Sequence, residues 1–142
     1  MHRDPTRLHA SAAARDGAGV LLLGAPGVGK SDLLLRLVRD GFSLIADDQV
    51  LVEAGVAGPP PALAGLLEVR GIGIVRFPYV TAPLVLAVRL EPGPRLPARE
   101  RLPDLDLPLV YVDPSSASAA QRVALALDCC LGRVTPVTGA FM

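Results

Sequence analysis

Residues 19–31 read GVLLLGAPGVGKS, and this stretch decides the fold. Its first part, residues 19–23, is an apolar run of strand length that feeds directly into a turn signal, the pattern of a buried strand. Its second part satisfies G-x-x-x-x-G-K-[ST] at every fixed position, with Gly24, Gly29, Lys30 and Ser31. From Ser31 onward the apolar period changes. Leu33, Leu34, Leu37 and Val38 recur at helical spacing, with Asp32, Arg36, Arg39 and Asp40 elsewhere on the wheel, and Gly41 is placed to end the helix.

A glycine-rich loop between a strand and a helix is the context in which this pattern encloses phosphate groups. Glycine lets the backbone approach closely, and the N–H groups face the anion together with the positive end of the following helix. The spacing therefore assigns Gly24, Ala25, Pro26, Gly27, Val28, Gly29, Lys30 and Ser31 to a nucleotide-phosphate cradle. Lys30 is the only lysine in the chain, the other thirteen cationic side chains being arginine. A compact ammonium fits a tight cradle where a planar guanidinium fits poorly. Ser31 would offer its hydroxyl to Mg²⁺.

Composition bounds the rest. The 142 residues suit one domain, 1–142, with residues 133–142 expected as an irregular tail. The chain is 51% hydrophobic and 20% charged, a globular rather than a disordered composition. Fourteen cations balance fourteen anions, so nothing global points to nucleic acid or to an anionic membrane surface as a partner. The start, MHRDPTRLHA, is polar and has no leader pattern, and no uncharged run reaches the ~18 residues of a spanning helix. Cys129 and Cys130 are sequence neighbours; such pairs seldom bridge, so they read as small core residues of a cytoplasmic protein.

Along the chain, FSLIA (42–46) reads as a second strand closed by Asp47 and Asp48, and QVLVEA (49–54) as a third. Residues 55–67, with three consecutive prolines, read as a loop leading into a short helix or turn. APLVLAVRL (82–90) and LPLVYVD (107–113) read as strands, separated by a long proline- and charge-rich loop over 91–106. Residues 114–132 carry helix start and stop signals. The pattern predicts an α/β domain, a mixed sheet with packed helices.

Ligands of open α/β sheets collect at the carboxyl ends of strands, which would bring Asp47 and Asp48 to the phosphates. One carboxylate could hold Mg²⁺ while the other takes a proton from an attacking hydroxyl; read alone, the pair is equally an exposed aspartate turn.

GAPGVGKS, LIADDQV and LLEVRGIGIV together resemble the catalytic domain of HPr kinase/phosphorylase. The similarity runs from about His9 to Arg76 and more weakly to Asp113. It implies a P-loop domain of the type shared with phosphoenolpyruvate carboxykinase. It also implies transfer of phosphate from ATP, or pyrophosphate, to a serine of the small phosphocarrier protein HPr, and a homo-oligomer, hexameric in the family. Carried over by position, the resemblance makes Lys30 catalytic, Asp48 the proton acceptor, Ser31 and Glu68 metal ligands, and Arg70 a neutraliser of phosphoryl charge, which leaves Asp47 as the carboxylate of the pair that could hold Mg²⁺. His9 in RLHASA matches the family histidine that contacts the phosphate site, and Arg101 in ERLPD the arginine of a closing loop. By their residues alone, His9 is more often a surface or satisfied histidine, Glu68 and Arg70 could be a structural ion pair, and Arg101 is equally one of several charges in a solvated loop.

The chain departs from the family in two places. The family's separate N-terminal domain has no match, so the sequence reads as a short form. The PVRPGRN-type segment associated with phosphorolysis is replaced by LPLVYVDPSSASAAQR, which points to a kinase without the reverse activity. A nucleotide-sensing regulatory module and a small-molecule kinase are the competing readings; a retained base argues against the first, and the shortness of the 91–106 loop as a lid against the second.

Overall fold

The computed structural model describes residues 5–142; the first four residues of the polar start lie outside them. The elements are β1 (Thr6–Leu8), β2 (Ser11–Arg15), β3 (Ala18–Leu23), α1 (Lys30–Arg39), β4 (Ser43–Ala46), β5 (Val50–Glu53), β6 (Val56–Gly58), a 3-10 turn at Pro61–Leu63, β7 (Leu66–Val69), β8 (Gly73–Arg76), β9 (Ala82–Arg89), β10 (Arg101–Leu102), β11 (Leu107–Tyr111) and α2 (Ala119–Cys130). No helix among the described residues is long and apolar enough to cross a membrane.

Nine strands form one mixed sheet along the path β1-β5-β6-β9-β3-β2-β4, with β11 added beside β9 and β10 beside β11. β9 lies parallel to both β3 and β11. β2 is antiparallel to β3 on one side and to β4 on the other, so β3 and β4 run the same way although they never touch. Their carboxyl ends open on one side of the sheet, which puts the loop after β3 and the turn after β4 together.

Alternation along the strands builds two cores. Ala13, Val20 and Leu22 face the helices and pack with Leu33, Leu34 and Leu37 of α1 and Val123 and Leu127 of α2. Ala12, Ala14 and Leu21 face the other way, onto Ile45, Val50, Val52 and Ala57. The ribbon of β1, β5 and β6 thus supplies the second cover that a helix layer would give elsewhere.

Three expectations are corrected, and residues 6–15, to which no element was assigned, gain two. Residues 6–15 form two strands that carry little sequence signal, because SAAAR is alanine-rich, with little preference for strands, and its alanines are buried on both faces. Residues 56–58 are a strand rather than loop, held by backbone pairing to β5 and β9. The long loop contains the short β10, paired with β11. The second helix begins at Ala119 instead of Pro114. The intervening carbonyls of Pro114, Ser116 and Ala117 accept from Arg36 of α1 instead, at 3.5, 3.3 and 2.9 Å. Cys129 and Cys130 are free thiols, partly buried, with Cys130 against the core. Residues 133–142 have no helix or strand, yet Ala140 and Phe141 pack on the main core.

Candidate functional site

The loop between β3 and α1 is shaped by its own backbone. Gly29 precedes the helix at φ 110°, a conformation that side chains with a Cβ rarely adopt. There it hands the chain to Lys30 with the helix's N–H groups unspent. Lys30 is nearly buried, at 9% exposure, and its ammonium donates to the carbonyls of Gly24 at 2.7 Å and Ala25 at 3.1 Å. Ser31 donates its hydroxyl to Asp47 Oδ1 at 2.8 Å. Because Asp47 follows β4 and Ser31 stands in the first turn of α1, this contact joins the two carboxyl-end elements that the sheet brings side by side.

Asp48 sits at φ 67°, and Gln49 N–H donates to the Asp47 carbonyl at 2.8 Å. A bond across one residue with that sign of φ makes Asp48 the centre of a strained γ-turn. The hairpin of β7 and β8 is a separate two-stranded sheet. Leu67 anchors it in the main core, while Glu68, on the alternate face, is exposed.

A pocket of about 460 Å³ lies between these pieces, lined among others by Gly29, Lys30, Ser31, Asp48, Glu68 and Arg70. The lining thus unites the glycine loop, one member of the aspartate pair and both charged residues of the EVRG segment. Asp47 touches it through Ser31. His9 is exposed in the bend between β1 and β2, and Arg101 donates to Asp106 Oδ1 at 2.7 Å and to the Asp106 carbonyl at 2.5 Å; neither lines the pocket.

The donor set suits a hard cation. Ser31 and Asp47 present adjacent oxygens, and Asp48 and Glu68 face the same space. Among the described residues no three His, Cys, Asp or Glu side chains converge on one point. Magnesium asks for no such cage, since one or two carboxylates and substrate phosphates hold it.

Sequence reasoning missed Ser11. Its fully buried hydroxyl donates to Asp47 Oδ1 at 3.0 Å and accepts from Asp48 N–H at 3.2 Å. Nothing local marked it, because its partners are more than thirty residues away in the chain.

On the other flank of the glycine loop, Pro114 lies beside Gly29. Asp113 before it accepts from the hydroxyl of Ser115 at 2.7 Å and from its backbone N–H at 2.9 Å. These two donors hold the Asp113 carboxyl below its ordinary range. A folded-state value below the unfolded one stabilises above the unfolded value and is lost as pH falls through the folded one. In a Ser115→Ala chain the Asp113 carboxyl resonance should therefore titrate at higher pH. Acid unfolding, followed by circular dichroism, should begin at higher pH as well.

Comparison with known proteins identifies the family and the fold. Residues 4–80 match the family described as HPr Serine kinase C-terminal domain. An HPr kinase/phosphorylase of Shouchella clausii is 50% identical over 64 residues, 42% of this chain and 21% of that protein. One from Clostridium tetani is 42% identical over 77 residues, 51% of this chain and 25% of that protein. The matched segment is thus at most about a quarter of these relatives' length. The structure of the Hpr(Ser) kinase/phosphatase from Coxiella burnetii superposes with a TM-score of 0.72, covering 90% of this chain and 92% of that one at 23% identity, a likeness of fold. With the match spanning more than half of its residues and the mixed α/β architecture shared, the chain belongs to the HPr serine kinase C-terminal domain family.

Proposed function

We propose that the chain transfers the γ-phosphoryl group of ATP to a serine of an HPr-like phosphocarrier protein. The observation that carries this reading is the pocket itself, where one lysine, a serine of the first helical turn, three carboxylates (Asp32, Asp48 and Glu68) and an arginine line a single space. Such a set suits phosphoryl transfer, in which positioning and charge stabilisation do most of the catalysis.

Residues 24–31 would cradle the phosphates, with Lys30 turning its donors from the loop carbonyls to phosphate oxygens. Ser31, Asp47 and Glu68 would hold Mg²⁺, which when bound neutralises charge on the phosphates. Asp48 takes the proton of the acceptor serine as its oxygen bonds to the γ-phosphorus. The bond to the bridging oxygen breaks, and ADP leaves. Arg70 offsets charge on the phosphoryl group in flight. His9 and Arg101 would enter with the bound acceptor or nucleotide, Arg101 after giving up Asp106.

The reverse reaction is not part of this reading. The turn after β11 presents Asp113 and a chain of serines where phosphorolysis would call for cationic groups. Pyrophosphate as alternative donor and a homo-oligomeric (by resemblance hexameric) assembly come with the resemblance, and a cytoplasmic setting goes with the two free cysteines.

The test is to incubate the chain with Mg²⁺-ATP and the HPr-like protein of the same organism and to locate added phosphate by mass spectrometry. Phosphoserine is expected, at a rate at least about a hundredfold lower with Asp48→Asn, the usual worth of a general base. ATP binding with no transfer to any such carrier would sink the reading.

A further inference from the structure

Among the described residues, the buried polar side chains are Ser11 and Lys30. Lys30 has an evident use in a phosphate pocket; Ser11 has had none. A buried hydroxyl is costly unless its hydrogen-bonding capacity is met, and Ser11 meets it entirely on the aspartate pair. It donates to Asp47 Oδ1, the same oxygen that accepts from Ser31, and it accepts the N–H of Asp48.

We propose that Ser11 is the positioning residue of the site: one hydroxyl fixes the Asp47 carboxylate against Ser31 and clamps the strained turn that aims Asp48 into the pocket. The inference rests on the reading of Asp47 as metal ligand and Asp48 as base, and it adds a residue outside that set.

Three features favour positioning over packing. The turn at Asp48 is a γ-turn of the positive-φ hand, the rarer and strained one, so something must hold it. The hold comes from both sides, because the Arg7 guanidinium of β1 donates to Gln49 Oε1 while Ser11 at the head of β2 takes Asp48 N–H. Finally, the doubly donated Oδ1 leaves Asp47 a second oxygen with one defined direction, which is how outer hydrogen bonds orient a metal ligand.

The Ser11→Ala chain should bind ADP without metal as the parent does, within about twofold. Mn²⁺ binding to the protein–ADP complex, read by electron paramagnetic resonance, should weaken about tenfold, the order seen when such orienting partners are removed. At saturating Mg²⁺, transfer to the carrier should lose about 10- to 100-fold in kcat, with the KM for the carrier within about twofold, as misplacement of a reacting group gives. Ser11→Cys, which keeps shape and weakens both hydrogen bonds, should move the same quantities the same way and covers the case in which Ser11→Ala folds poorly.

Parent-like Mn²⁺ affinity and kcat in both variants would overturn the assignment. So would a parallel loss of metal-free ADP binding, the mark of a general structural role. A parent chain that binds ADP and Mn²⁺ but phosphorylates no carrier would overturn the kinase reading alone, and the Mn²⁺ measurement would still decide Ser11.

Discussion

A Lys30→Met chain is expected to transfer phosphate about 10²–10³-fold more slowly than the parent, the usual loss when one preorganised donor to developing charge is removed. ATP affinity should fall about tenfold or more, as for a charge-assisted hydrogen bond. Lys30 is nearly buried and already wrapped by the loop carbonyls, so its charge acts in a space with little water to replace it. Lys30→Arg should not rescue. The guanidinium keeps the charge, but its planar fork is too broad for a position enclosed at 2.7 Å by Gly24 O. Calorimetry of ATP binding and single-turnover transfer separate the two effects. A Lys30→Arg chain with parent-like transfer would show that charge alone suffices and would remove the steric part of the account.

The second large effect is on stability. In Gly65→Ala the unfolding midpoint should fall by about 6–20 °C, and transfer should drop more than about tenfold. Gly65 has φ 77°, and an added Cβ would stand 2.6 Å from the Phe77 carbonyl oxygen. That oxygen belongs to backbone and cannot swing aside. The positive φ costs an alanine about 1–2 kcal/mol, and forced overlap in a packed site about 1–3 kcal/mol. At about 3–4 °C per kcal/mol for a chain of this size, these give the quoted shift. The activity loss follows because Gly65 O accepts Phe77 N–H at 2.7 Å and so closes the open end of the hairpin that carries Glu68 and Arg70. Gly71→Ala is the control. Its φ is 84°, but nothing lies within 4 Å of the added atom, so only the conformational part should be lost. Differential scanning calorimetry on both variants checks the contrast.

These effects sit at positions of differing legibility in the sequence. The glycine loop was readable because a change of apolar period from strand to helix brackets a fixed-spacing motif, and both signals are local. Asp47 and Asp48 were readable as the end of a strand, though the sequence could not say that antiparallel β2 stands between that strand and β3. Strand β2 itself was hidden because its alanines match a covered, two-sided position rather than any alternation. The start of α2 was overestimated because proline and serine signal a helix onset wherever they fall, while Arg36, far away in sequence, captured those carbonyls for a turn. Ser11 was silent for the same reason. Its role is a contact between distant segments, and a lone serine at the head of an alanine run carries no periodicity. Arg101 illustrates the converse, since Asp106, five residues along, supplies its ion pair.

The two-stranded hairpin has one more consequence. Backbone pairing does not join β7 and β8 to the nine-stranded sheet, and Ile72 and Ile74 stand 78% and 72% exposed on it. It is fastened by Leu67 in the main core, with Val69 and Phe77 packed against that core beside it. The pocket therefore joins a wall within the nine-stranded sheet and α1 to a flap outside that pairing, and the flap's amides are expected to exchange by smaller excursions than the wall's. As temperature or denaturant rises, the flap's excursions withdraw Glu68 and Arg70 first. The remaining wall still holds the glycine loop, Lys30 and the aspartate turn, so on the proposed reading phosphate binding should outlast transfer.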